Sequence, residues 1–101
     1  MIQIIKITYH DDSNASKSID IRVCTSVENA KEAILYRINK KFDGDWSTLK
    51  SAATELNDNL SDCSWDEDDK VFSWYDNGNG ETYIIGEIER TSTLWQYFGE
   101  I

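Results

Sequence analysis

The sequence predicts an α+β domain in which two helices pack on one face of an antiparallel sheet built from two hairpins. Three patterns predict it: strand-like segments at the start of the chain, two helical stripes in the middle, and a strand pair around an Asn-Gly turn. The predicted order is β-β-α-α-β-β. At 101 residues the chain fits one domain, spanning residues 1–101.

The first hairpin is predicted from two segments of β-branched character. Residues 2–9 form an apolar run, and Ile19–Val23 alternates strictly between apolar and charged side chains. Strict alternation is typical of a strand with one buried and one solvated face. The polar residues 10–18 between the two segments are expected to form the connecting loop.

The first helix is predicted to begin at a capping box formed by Thr25 and Glu28. Apolar residues at steps of three and four define its buried stripe, and these are Val27, Ala30, Ile34, Ile38 and Phe42.

Asp43-Gly44-Asp45 is predicted to separate the two helices, with Gly44 in a left-handed conformation and Asp45 capping the next helix. The buried stripe of that second helix comprises Leu49, Ala52, Ala53, Leu56 and Leu60.

The second hairpin is predicted for residues 70–75 and 81–89, which are rich in aromatic and β-branched residues. Asp76-Asn77-Gly78-Asn79-Gly80 lies between them, and Asn-Gly is a strong turn signal. Residues 93–98 are predicted to form a short C-terminal helix or an added strand.

The net charge of −9 lies almost entirely in the second half of the chain. Residues 1–50 hold eight basic and seven acidic residues, whereas residues 51–101 hold two basic and twelve acidic residues. Such a field repels nucleic acids and anionic membranes and attracts basic proteins. The alternative interpretation is that the acidity only maintains solubility.

Motifs for catalysis or metal binding are absent from the sequence, so no enzyme activity and no cofactor are predicted. The single histidine, His10, stands beside two aspartates in a polar loop, and Cys24 and Cys63 have no metal-binding or redox spacing. Gly78 occupies the position where a calcium loop needs its third ligand, so calcium is not predicted either. With no signal-peptide pattern, the thiols are expected to be reduced and the protein cytoplasmic.

Acidic residues and tryptophans together suggest a protein-binding surface. Glu55, Asp58 and Asp62 have helical spacing on another, exposed face of the second helix, and four consecutive acids follow in the next loop. Charge would draw in a basic partner, and an indole ring would anchor it. The predicted partner-binding residues are Glu55, Asp58, Asp62, Trp65, Asp66, Glu67, Asp68, Asp69 and Trp74. In one plainer interpretation the acidic run is a solvated loop and the tryptophans point inward. In another the acids protect the following strand, residues 71–75, from aggregation.

The segment Gly44-Asp45-Trp46-Ser47-Thr48-Leu49, after a helix that ends at Phe42, resembles the barstar family of ribonuclease inhibitors. In that family a helix and an aromatic residue precede Gly-x-Asn-Leu/Trp-x-x-Leu, which opens the next helix. The resemblance covers about 25 of the 101 residues. Asp45 stands where the family prefers Asn, and the family has no hairpin before its helices. The resemblance implies a small acidic cytoplasmic protein that blocks a basic nuclease with carboxylates near this segment.

The sequence therefore predicts a small, acidic, non-enzymatic inhibitor that binds a basic nucleic-acid-processing protein in a bacterial or phage-infected cell. One version is an immunity protein or antitoxin against a nuclease toxin. The other is a phage-type DNA mimic, such as an anti-CRISPR or anti-restriction protein. The alternative is a structural or scaffold module whose acidity serves only solubility.

Overall fold

A five-stranded antiparallel sheet and two helices form the structure, a computed structural model that describes residues 1–9 and 17–87. In chain order the elements are β1 (Ile2–Tyr9), β2 (Lys17–Cys24), α1 (Val27–Phe42), α2 (Leu49–Leu56), β3 (Asp62–Asp66), β4 (Val71–Asp76) and β5 (Asn79–Glu87). The strand order in the sheet is β2-β1-β5-β4-β3. The predicted α+β class is confirmed, and the order differs by one strand.

That added strand, β3, occupies residues that the sequence assigned to the end of a longer second helix and to a loop. α2 ends at Leu56 because three residues with low helix propensity, Asn57, Asp58 and Asn59, follow it. The backbone N–H of Cys63 then donates to Oδ1 of Asn57 at 3.1 Å, which directs the chain into β3. β3 pairs with β4 alone among the described strands, so it forms one edge of the sheet.

The N-terminus of each helix is capped at a different residue from the one predicted. Ser26, rather than Thr25, caps α1, and its Oγ accepts from the backbone N–H of Asn29 at 3.1 Å. Thr48, rather than Asp45, caps α2, and its Oγ1 accepts from the backbone N–H of Ser51 at 3.0 Å. Both caps lie immediately before the first helical residue, where a hydroxyl reaches the free N–H groups.

The α1–α2 connection also corrects the predicted role of its glycine. Asp43, not Gly44, adopts the left-handed conformation, with φ 53° and ψ 45°. Gly44 lies under the ring of Trp46, and an added Cβ would overlap that ring. The side chain of Asn39 fixes Trp46 twice, because Nδ2 donates to the carbonyl and Oδ1 accepts from the backbone N–H, both at 2.9 Å.

The main core lies between the sheet and the two helices. One face of the sheet supplies alternate residues of β1, β3, β4 and β5, and each helix supplies its apolar stripe. The buried members are Ile2, Ile4, Ala30, Ile34, Ile38, Leu49, Ala52, Ala53, Leu56, Cys63, Phe72, Trp74, Tyr83 and Ile85. Packing of both helices on this one face agrees with the prediction.

The β4–β5 hairpin turns through two residues only. Asn77 and Gly78 have φ values of 50° and 87°, and Asp76 pairs with Asn79 at the base of the turn. Positive φ at both central positions is the conformation that Asn-Gly favours. The predicted turn is therefore confirmed in place but is shorter than expected.

Three predictions fall wholly or partly outside the described residues: the loop that contains His10, the last residues of the second hairpin, and the element at residues 93–98. Within the described residues, no helix has the length and apolar character needed to cross a membrane.

Candidate protein-binding surface

Seven carboxylates surround the outer strand β3, and we call this surface the acidic edge. They begin in the last turn of α2, continue through the α2–β3 connection and β3, and end in the β3–β4 turn. The acidic edge consists of Glu55, Asp58, Asp62, Asp66, Glu67, Asp68 and Asp69. The sequence placed the first three on one helix face, whereas in the structure only Glu55 is helical, Asp58 lies in a turn and Asp62 opens β3.

Glu55 has a partner within the chain. Its Oε2 accepts a hydrogen bond from Nε1 of Trp46 at 2.8 Å, although both groups lie near the surface. The bond ties the end of α2 to the connection between the helices. Glu55 therefore holds the Trp46 ring in place as well as contributing charge.

Asp66 shapes the turn at the end of β3. Its Oδ1 accepts from the backbone N–H groups of Asp68 at 2.9 Å and Asp69 at 3.0 Å. This is the side-chain-to-backbone bonding by which aspartate stabilises turns. Lys70 completes the turn in a left-handed conformation, with φ 57°. Part of the acidic run is thus explained by turn geometry.

Glu67 joins the turn to α1. Its Oε2 accepts from Nζ of Lys31 at 2.9 Å, and its Oε1 accepts from Nε1 of Trp65 at 3.4 Å. The hydrogen bond from Lys31, followed by that from Trp65, holds the pKa of Glu67 below its usual value. The same bond raises the pKa of Lys31 above its usual value.

Four carboxylates of the acidic edge make no side-chain hydrogen bond or ion pair with any described residue, and all four are exposed. They are Asp58, Asp62, Asp68 and Asp69. Asp62 and Asp66 project on the same side of β3, separated by roughly 13 Å at about 3.3 Å per residue. The described part of the chain therefore leaves negative charge unneutralised along the edge and around its two ends.

Trp65 is the aromatic residue of β3, and it is half-buried. One side of its ring packs against the core, and Nζ of Lys31 lies 5.6 Å from the ring centre. The Trp65 side chain lines two shallow clefts. It shares one of them with Glu67 and the other with Asp58. Of Trp65 and Trp74, the two tryptophans predicted as partner contacts, Trp65 is thus the one that the structure brings together with the acidic edge.

Trp74, a predicted partner-binding residue, lies in the core, so it offers no surface contact to a partner. Trp74 is 8% exposed, and its ring contacts the Phe42 ring edge-on, with 5.2 Å between the two ring centroids. The indole Nε1 donates to Oε1 of Glu81 at 3.0 Å. The burial follows from register, because Trp74 alternates with Phe72 toward the helices.

Glu81 is a buried carboxylate that the sequence analysis did not single out. It also accepts a hydrogen bond from the Tyr83 hydroxyl at 2.8 Å, and Arg37 and Lys6 lie 3.4 Å and 3.9 Å from its Oε2. Burial acts to raise the pKa of Glu81, but hydrogen bonds from Tyr83 and Trp74 and the nearby cations hold it below its usual value. The sequence signal that could have identified Glu81 is its spacing of two and four residues from Tyr83 and Ile85. In a strand this spacing places all three side chains on the face toward the core.

The described residues contain no group of three or more His, Cys, Asp or Glu side chains that could hold a metal ion. Burial, and secondarily the nearby Asp62 carboxylate, raises the pKa of the Cys63 thiol to about 12. A thiol that stays protonated is a poor nucleophile, so Cys63 serves as a small core residue. Among the described residues, the arrangement presents carboxylates beside the partly exposed indole rings of Trp46 and Trp65 rather than reactive groups.

Comparison of the chain with protein-family models, with curated proteins and with solved structures finds no match. The resemblance of residues 44–49 to the barstar family stays a prediction. In this chain those residues place the Trp46 ring over Gly44 and cap α2 at Thr48.

Proposed function

We propose that this protein is a non-enzymatic inhibitor that binds a basic nucleic-acid-processing protein through the acidic edge and Trp65. The proposal includes a cytoplasmic site of action in a bacterial or phage-infected cell. It covers two versions, a DNA mimic that occupies a nucleic-acid groove and an immunity protein or antitoxin that neutralises a nuclease.

The observation that carries the proposal is the clustering of unneutralised carboxylates beside a half-buried indole. Asp58, Asp62, Asp68 and Asp69 surround the outer strand that presents Trp65. Opposite charge accelerates association with a basic surface, and a partly exposed aromatic ring supplies the apolar contact that slows dissociation.

The dimensions of the acidic edge support a nucleic-acid groove as its target. Duplex DNA carries one negative charge per roughly 1.7 Å of axis over both strands, and proteins bind it with rows of Lys and Arg. The carboxylates of β3 and its turn extend over a distance comparable to several phosphates. The strand and the Asp66 hydrogen bonds hold them in a fixed arrangement, which lowers the entropy lost on binding.

Charge removal with a matched control tests the proposal. The test variant carries D58N, D62N, D68N and D69N, whereas the control variant carries E32Q, D43N, D45N and E87Q. Each variant removes four negative charges from the net −9, and all eight positions are exposed. The probe is a panel of purified basic nucleases and DNA-binding proteins, with affinity measured by calorimetry and activity by substrate cleavage.

The test variant is expected to bind at least about tenfold more weakly, because each exposed ion pair contributes up to about 1 kcal/mol. The control variant should bind like the original chain. Equal weakening of both variants would show that only total charge matters, and this would contradict a defined acidic edge.

Salt and DNA competition separate the versions of the function. Between about 0.1 M and about 1 M salt the Debye length falls from about 10 Å to about 3 Å, so a charge-led complex should weaken markedly. Duplex DNA should displace a DNA mimic from its partner. Displacement is not expected if the partner is bound outside its nucleic-acid groove.

The alternative function, a scaffold module with incidental acidity, has an observation in its favour. β3 is an outer strand, and Asp62 and Asp66 at its ends would discourage pairing with strands of other molecules. The sequence assigned this protection to residues 71–75, but β4 is covered on both sides by β3 and β5. Under this alternative the test variant aggregates, and neither variant changes binding to any member of the panel.

A further inference from the structure

We infer that a second copy of this chain is the partner of β2, and that two β2 strands pair antiparallel about a twofold axis at Ile21. This inference does not depend on the proposed function, because β2 forms one edge of the described sheet and β3, which carries the acidic edge, forms the other.

The strand β2 is an outer strand of full length. All eight of its residues pair with β1, and no other described strand pairs with it. Its second row of backbone N–H and C=O groups therefore lies along the boundary of the sheet that the described strands form. Long outer strands of this kind readily pair with another chain.

Apolar side chains on β2 point to the sheet face opposite the helices, and they are unusually exposed for their type. Val23 is 59% exposed, Ile19 is 49% exposed and Ile21 is 38% exposed. Three neighbouring β-branched residues on one outer strand favour burial against another apolar surface. From Ile19 to Val23 no charged residue interrupts this row, because Asp20 and Arg22 alternate with the apolar residues and project to the other face.

Charge makes the strand complementary to itself. Asp20 and Arg22 lie on either side of Ile21 and on the same face, and within one chain Arg22 Nε lies 3.0 Å from Asp20 Oδ2. The hydrogen bond from Arg22 lowers the pKa of Asp20. In an antiparallel pair centred on Ile21, Asp20 of each strand stands directly opposite Arg22 of the other.

The same register also places apolar residues of one β2 strand opposite apolar residues of the other. Ile21 meets Ile21 of the second copy on the axis, and Ile19 stands opposite Val23 on both sides of it. Directly opposed β-branched pairs and opposite charges both stabilise antiparallel strands. A twofold pair is closed, so it covers the open strand without leading to fibres.

Charge reversal at two positions tests the register. D20R places arginine opposite Arg22 of the second copy, and R22D places aspartate opposite Asp20. Each variant alone is expected to raise the dimer dissociation constant at least about tenfold. Mixing the two variants restores both opposite-charge pairs and is expected to give a heterodimer, and the double variant D20R/R22D is expected to form a homodimer again.

The measurement is the molar mass by light scattering and sedimentation across a concentration series. The original chain should reach twice the 11.7 kDa chain mass. E32R, at an exposed position of α1, makes the same change of charge as D20R and should leave the dimer intact. A single-chain mass for the original protein up to millimolar concentration would overturn the inference, as would dimers that persist unchanged in both D20R and R22D.

A cysteine on the axis gives an independent readout if the reversed variants fold poorly. In a C24S background, I21C places two thiols at the distance of directly opposed strand residues, which a disulfide can span. Mild oxidation is expected to yield a covalent dimer from I21C, whereas S64C on the exposed outer strand β3 should remain a single chain. Equal cross-linking of both variants would refute the β2 pairing.

Discussion

Nζ of Lys31 lies 2.9 Å from Oε2 of Glu67 and 5.6 Å from the centre of the Trp65 ring. One side chain of α1 therefore holds both the acidic turn and the indole that we propose as partner contacts. The arrangement explains how a turn with consecutive acids stays close to an aromatic ring.

Replacing that lysine is the first prediction. K31M keeps most of the apolar stem but removes the charge, so the free energy of unfolding should fall by less than about 1 kcal/mol, as for other exposed ion pairs. Urea denaturation measures the change, and the tryptophan fluorescence of the folded chain, to which Trp65 contributes, should shift as its ring gains freedom. K40M, at an exposed position nine residues further along α1, is the control and should change neither. A loss above about 2 kcal/mol in K31M would mean that the contact is far more buried than the structure indicates.

Glu81 gives the second prediction, which concerns pH. Its pKa is lower in the folded chain than the usual value of about 4.5, so its stabilising effect is complete above that value. The effect declines as the pH falls through 4.5 and is lost below the folded-state pKa. Relative to the original chain, E81Q should lose roughly 1.5–3 kcal/mol at pH near 7, because hydrogen bonds to a buried charge disappear.

The difference in unfolding free energy between the original chain and E81Q should therefore shrink in acid. E32Q, at an exposed position, provides the baseline because its difference from the original chain should stay near zero at every pH. If the difference in unfolding free energy between the original chain and E81Q stays constant from neutral pH to pH below 4, the lowered pKa of Glu81 is contradicted.

The third prediction concerns Asn39, whose side chain makes two hydrogen bonds to the Trp46 backbone. N39A should cost about 1–3 kcal/mol, since the backbone N–H and carbonyl of Trp46 lose their partner. Thermal or urea unfolding measures the loss. N59A removes an exposed amide with one long contact at 3.4 Å and should change stability by less than about 0.5 kcal/mol. Similar losses in the two variants would argue against a specific Asn39–Trp46 connection.

Cys63 supplies the fourth prediction. With a thiol pKa raised to about 12, almost no thiolate exists at pH 8, and the residue is also buried. In a C24S variant, native protein should react with a thiol reagent far more slowly than protein unfolded in urea. C63A, which leaves the half-buried Cys24, should react faster in the native state. Native C24S reacting at the unfolded rate would show that the β3 side of the core opens readily.

Sequence periodicity predicted most of the fold because the apolar stripes are regular. The buried residues of α1, Ala30, Ile34 and Ile38, occupy positions on the predicted stripe, and the Asn-Gly turn lies where it was expected. The predicted connection between the helices was right in position and wrong in detail. Its glycine is required by the Trp46 ring, a contact two residues away that no local backbone rule expresses.

The missed strand shows the limit of local patterns. Residues 62–66 contain two aspartates and a serine, which favour turns, and only Cys63 and Trp65 face the helices. Pairing with β4 supplies the backbone hydrogen bonds that make this segment a strand. The same missing information made Trp74 a predicted partner contact, because the charge density near a residue does not show which face of the sheet it occupies.

The central position of the first strand has a consequence for how the chain is made. Ile4 of β1 lies beside Ile85 of β5, so the earliest and the latest described strands meet in the middle of the sheet. On the ribosome, β1 and β2 emerge long before their neighbour exists, and high sequence separation between contacts slows folding. Until β5 leaves the exit tunnel, β1 lacks one of its two neighbouring strands and its apolar residues stay exposed. A chaperone that binds exposed apolar strands would therefore bind the nascent chain at β1 and β2.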